Sequence, residues 1–109
     1  MDLPPDLREE LQRVWTALSQ DLSIPVPHMD VARGSPRGIL RDDVFVVPSA
    51  YVDHFRRFGN VPTALVHDAA YEAKRRQLSK RGGHPSSTEV EALTYAEAFL
   101  RATRLRDPE

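Results

Sequence analysis

The 109-residue chain predicts a mostly α-helical fold, α with a small β-hairpin. Three observations carry that expectation. Four stretches repeat apolar residues at helical spacing and carry capping signals at their ends. Only one run, Val44-Phe45-Val46-Val47, has the β-branched and aromatic density of a strand. The length suits one modest core, so residues 1–109 are expected to form a single domain. Its parts would be an N-terminal helix over 6–21, an extended linker and hairpin over 22–48, and a helical core over 49–105.

Asp6-Leu7-Arg8-Glu9 has the spacing of a capping box, and Leu7, Leu11, Val14, Trp15, Leu18 and Leu22 then share one side of an amphipathic helix. The prolines in Ser23-Ile24-Pro25-Val26-Pro27-His28 forbid its continuation and imply an extended linker to about Asp30. Gly34, Pro36 and Gly38 mark turns, and Gly38-Ile39-Leu40 is the expected partner of the Val44 strand through Asp42-Asp43. Such a hairpin needs helices against it. Pro48-Ser49 then opens a short helix with Tyr51, Val52, Phe55 and Phe58 on one side, closed by Gly59 as a left-handed cap.

The main helix is expected over 61–78, capped by the Asn60 side chain with Pro62 in its first turn. Ala64, Ala69, Ala70 and Ala73 permit close approach of a neighbour. Gly82-Gly83-His84-Pro85 ends it, and Ser86 with Glu89, or Thr88 with Glu91, can cap a last helix over 87–105. These two helices should form an antiparallel hairpin packed with the N-terminal helix, burying Val66, Ala69, Ala70, Ala73, Leu93, Tyr95, Phe99 and Leu100. Phe99→Ala would cost roughly 3–5 kcal/mol if that ring is fully buried.

Charge is uneven: residues 1–54 hold 5 basic and 9 acidic side chains, and 55–109 hold 10 and 7. The near-zero total gives no global reason to expect nucleic-acid binding. Absence of cysteine excludes disulfides and thiolate chemistry. The N-terminus lacks the pattern of a signal peptide, and no stretch has membrane-spanning length. A cytoplasmic protein of a bacterial host, or a virion-associated one, is the expectation.

One stretch looks like chemistry. On the main helix His67 and Tyr71 stand one turn apart, while Asp68 points about a quarter turn away. A histidine titrating near neutrality can serve as general base, Asp68 could ligate a hard cation such as calcium, and Tyr71 could orient a partner. Lys74, Arg75, Arg76, Lys80 and Arg81 could bind an anion or a partner, or touch a membrane surface peripherally through a basic helix tip. His28 and His84 read as solvated loop residues.

His67-Asp68-Ala69-Ala70-Tyr71 resembles the H-D-x-x-Y motif of the phospholipase A2 superfamily, and is similar to the viral capsid type, in which a basic helix, a turn and an antiparallel helix follow. It looks closer to a small family of unknown function common in tailed-phage genomes, with a pattern near A-x-x-V-H-D-x-x-Y and then S-x-x-E-A-D-x-x-F-x-E-A-L. Ala64 to Tyr71 fit the first part and Val90 to Phe99 fit the second loosely. The resemblance implies a His-dependent ester or phosphoester hydrolase with His67 as base, Asp68 as metal ligand, Tyr71 and Glu91 in support, and calcium as cofactor. This sequence departs from the pattern in two places. Val31 to Gly38 carries arginines where the superfamily binds calcium, and Ala92 stands where the phage family has its aspartate, with Glu91 one residue out of register. A degenerate site on a non-catalytic structural or protein-interaction module is therefore the leading expectation, with a protein partner. His67→Asn should then cost about 1–3 kcal/mol of stability. Leu65-Val66-His67-Asp68 also resembles the metal-dependent HD phosphohydrolases, but His54 lies too near and only Asp107 follows at a suitable distance.

Overall fold

A computed structural model describes residues 3–80, 82 and 85–106, with 85–87 and 104–106 described as backbone alone. Arg81, His84, Asp107 and the Ser86 side chain lie outside the described residues. The elements in chain order are α1 (Pro5–Leu22), β1 (His28–Ala32), β2 (Ile39–Arg41), β3 (Val44–Pro48), α2 (Ser49–Phe58), α3 (Thr63–Lys80) and α4 (Pro85–Arg106). The protein is thus mostly α with a small β element.

Helix α1 starts two residues earlier than its capping box suggests. Pro4 occupies the N-cap with φ −56° and ψ 140°, and no side chain caps the helix. Proline at the first helical position has the required φ and lacks only an N–H that would be orphaned anyway, so Asp6 falls inside the first turn. The periodicity holds: Leu7, Leu11, Trp15, Leu18 and Leu22 are buried. Trp15 meets Phe45 of β3 edge to face at 5.1 Å between ring centres, which ties the helix to the sheet.

The expected hairpin forms, with Arg41 opposite Val44 across the two-residue loop Asp42-Asp43. Asp42 adopts φ 51°, the positive value that matches a tight loop to strand twist. The sheet nevertheless has three strands. Residues 28–32, expected to be linker as far as Asp30, pair in parallel with β3 from His28 opposite Val44 to Ala32 opposite Pro48. The order is β1-β3-β2, with β3 in the centre. Prolines at 25 and 27 end before the ladder begins, so they cost it no donor.

Helix α2 closes at Gly59, whose φ of 75° and N–H bond to the Phe55 carbonyl (2.8 Å) make the expected left-handed cap. Val52 is buried, but Phe58 is exposed and lies beside His54 at 4.7 Å between ring centres. Helix α3 begins at Thr63, not at Val61, and Asn60 does not cap it. The Asn60 side-chain oxygen accepts from His54 Nε2 at 3.3 Å, while the Pro62 carbonyl receives the Leu65 and Val66 N–H groups. Helix α4 begins at Pro85, again with proline in the first turn, which places Ser86 and Thr88 inside the helix.

Helix α3 is the hub. It packs against α4, α1 and β2, so it buries residues on several sides: Leu65, Ala69, Ala70, Glu72, Ala73 and Leu78. Ala69, Ala70 and Ala73 are fully buried, as are Ala92 and Ala96 on α4. Small side chains on both helices let their backbones approach. The expected buried set is only partly right. Val66, Tyr95, Phe99 and Leu100 are half-buried, and Leu93 is exposed because Ala92 and Ala96 take the contact line instead. Among the described residues no helix is long and apolar enough to cross a membrane.

Candidate functional site

The site is assembled where α3 lies along the edge of the sheet. In an antiparallel pair every second residue turns its N–H away from its partner, and β2 is an edge strand, so Gly38 and Leu40 are left with outward donors. Both find carboxylates on α3. Gly38 N–H donates to Asp68 Oδ2 at 2.9 Å, and Leu40 N–H donates to Glu72 Oε1 at 2.9 Å. The match is geometric. Residues four apart on a helix rise about 6 Å, and alternate strand residues are separated by nearly the same distance.

Gly38 allows the close approach. A Cβ there would stand 2.7 Å from Phe45 Cζ and 3.2 Å from Asp68 Cβ. Glu72 is 7% exposed and its second oxygen, Oε2, has no hydrogen-bond partner among the described residues. Arg37 Nη1 lies 3.7 Å from it, close enough for charge compensation but too long for a hydrogen bond. The Arg37 guanidinium also sits 5.7 Å from the centre of the Tyr71 ring, with that of Arg75 at 5.8 Å.

Burial pushes the Asp68 carboxyl above its usual range. The Gly38 hydrogen bond and the nearby charges of His67 and Arg37 act against that rise, and Glu72 adds to it. Tyr51 of α2 is raised as well, by its own burial first and by Asp68 second, which places the carboxylate within electrical reach of α2.

The sequence-predicted residues have different fates. Asp68 is engaged by the strand. His67 is half-buried, and among the described residues its ring makes no hydrogen bond or ion pair. The stability cost expected of His67→Asn therefore has no described hydrogen bond behind it. Tyr71 is a platform for two arginines, while Glu91 is exposed on α4 and forms no ion pair with His67. The basic residues diverge around α3. Lys74 donates to Gln77 Oε1 at 2.7 Å and lies 5.4 Å from the Tyr95 ring centre, Arg76 donates to the Asp42 carbonyl at 2.8 Å, and Lys80 is exposed. Arg75 turns to Tyr71.

Calcium, which the phospholipase resemblance implies, does not suit these donors. A hard cation needs converging oxygens, whereas the segment 31–38 offers Asp68 an N–H and brings in a guanidinium. Among the described residues no three His, Asp or Glu side chains are grouped to hold a metal ion. Sequence reasoning missed Glu72, Arg37 and Gly38. Glu72 had a visible signal, since it follows Asp68 by one helical turn on the same alanine-rich stretch. Comparison of the chain with family models, curated proteins and solved structures gives no match.

Proposed function

We propose that this protein is a small phage-type helical module that acts through structural or protein-protein contacts rather than catalysis, and that its His67-Asp68-Tyr71 helix is a phospholipase A2-like element turned to holding the fold. The observation supporting this reading is the pair of hydrogen bonds from Gly38 and Leu40 to Asp68 and Glu72. The acid that would ligate a cation is engaged by the Gly38 N–H at the entrance to β2. Residence in a bacterial cytoplasm or a virion belongs to the same proposal.

One observation favours a competing reading. His67 is half-exposed beside an acid and carries no hydrogen bond among the described residues, so a hydrolase using it as general base for an ester or phosphoester is the alternative. The purified protein should be assayed against carboxylic and phosphoric esters with calcium and with a chelator, beside His67→Asn. We expect no turnover above that of the variant. We also expect a stability change below about 0.5 kcal/mol, smaller than the sequence suggested, because no described hydrogen bond is lost. Calcium-dependent hydrolysis abolished by His67→Asn at an unchanged Tm would establish the hydrolase instead.

A further inference from the structure

Helices α1 and α4 both pack on α3 but make at most slight contact with one another. Between them runs a groove of two adjoining clefts, of about 820 and 740 Å³, which share Glu10, Arg13, Val14 and Thr103. Its apolar lining includes Val14, Val66, Phe99 and Leu100, all half-buried. At one end the Tyr95 hydroxyl donates to Asp21 Oδ2 at 2.5 Å and joins the two helices. Toward the other, Asp6 and Thr63 line the opening. From Asp6 to Asp21 the groove follows α1 for roughly 22 Å, the length of a helix of about 15 residues.

The groove is acidic. Among the described residues Asp6, Glu9, Glu10 and Asp21 line it against one cation, Arg13, which is already held by Glu9 and Glu10 at 3.1 Å each. A half-buried apolar floor with this net negative lining suits a helix that is apolar on one side and basic along its flanks. We infer that the α1–α4 groove receives one such Lys/Arg-flanked amphipathic helix from a partner protein. The inference rests on the non-catalytic reading above and names the partner class that it lacks.

Among its described residues a second copy of the chain offers no such helix. Helix α2 carries Arg56, Arg57 and the exposed Phe58, but Val52 is buried and Tyr51 and Phe55 pack against their own core. The outer side of α4 exposes Val90 and Leu93 among Glu89, Glu91 and Glu97, the same charge sign as the groove.

The test uses the full chain and a synthetic peptide of about 15 residues, with leucines at helical spacing flanked by lysines, beside a twin with glutamates for lysines. Binding is followed by calorimetry and by backbone amide shifts. The lysine peptide should bind about tenfold or more tightly than its twin, weaken with added salt and shift the Val14, Ala17, Ala98 and Ala102 amides. Ala102→Arg places bulk and positive charge at an exposed groove position. It should leave Tm unchanged and weaken binding about tenfold. Glu10→Lys, on the rim, provides a second variant if the first perturbs folding. Equal binding of the two peptides, binding indifferent to both variants, or no binding overturns the inference. Dimerisation of the free protein that Ala102→Arg abolishes assigns the groove to a second copy and overturns it too. Ester turnover would refute the non-catalytic reading without altering these binding results, and absent binding would leave that reading standing.

Discussion

Helix α3 has two flanks that differ in how completely they are closed. Toward the sheet, Asp68 receives the N–H of Gly38, the residue just before β2, Glu72 receives that of Leu40 within it, and Gly38 lets strand and helix meet without an intervening side chain. Toward solvent, α1 and α4 stand apart and leave Val66, Phe99 and Leu100 half-buried. One flank is determined by directional bonds that fail if either partner is removed. The other is held by apolar contact that is incomplete in the free chain. Of the chemistry-like residues, Asp68 serves the closed flank and Tyr71 packs under the Arg37 beside it, whereas the incompletely closed flank carries no motif.

The contrast predicts unequal costs. Glu72→Ala should be the most damaging, by about 2 kcal/mol in denaturant unfolding, because it takes the acceptor from the half-buried Leu40 N–H and leaves a cavity where the Glu72 side chain was buried. Glu72→Gln keeps an acceptor for Leu40 and should recover much of that loss. If both variants unfold at the wild-type midpoint, the carboxylate clasp contributes nothing. Gly38→Ala should follow at about 2 kcal/mol, since the new methyl must displace the Phe45 ring. A crystal structure of that variant with an unmoved ring would contradict the account.

On the open flank, Phe99→Ala should cost only about 1–2 kcal/mol. The 3–5 kcal/mol for a fully buried ring does not apply to a half-buried one. A loss above about 3 kcal/mol would show the groove to be closed in solution. The smallest effect concerns Asp68→Asn, which keeps an oxygen for Gly38. The Asp68 carboxyl is raised by burial in the folded state. Its contribution to stability is therefore fully present below the unfolded value, about 3.9, and is lost as pH rises through the higher folded value. The Asn variant has no such titration, so it should gain on the wild type between pH 4 and pH 7. A stability difference that is flat across that range, or runs the other way, would mean that Asp68 is not desolvated as described.

The helices were legible because their signals are local. The α1 face repeats leucine at helical spacing, and Gly59 announces its left-handed cap within a single residue. Strand β1 was not legible. Its apolar content is Met29, Val31 and Ala32 behind two prolines, and its parallel partner lies beyond the whole segment 33–43. No local turn signals such a pairing. The helix starts were read too literally: oxygen-bearing side chains at 6 and 60 looked like caps, but Pro4, Pro5 and Pro62 set the chain geometry there. At the candidate site the sequence identified His67, Asp68 and Tyr71 as a group, yet the partner that engages Asp68 is the backbone N–H of Gly38, at the entrance to β2. Backbone donors are the same at every non-proline residue. Only the register of β2 reveals which ones face outward.

The clasp also orders events during synthesis. The sheet is encoded entirely before α3, so a chain emerging from the ribosome exposes β2 with its outward N–H groups well before the residues that cover them. An arrested or truncated product ending before Thr63 would carry an unprotected strand edge, the template on which chains pair with one another. Both carboxylates become available only once α3 itself has left the ribosome, and its folding against β2 then removes that hazard. The two carboxylates that hold β2 in the folded chain are thus the groups that close its edge.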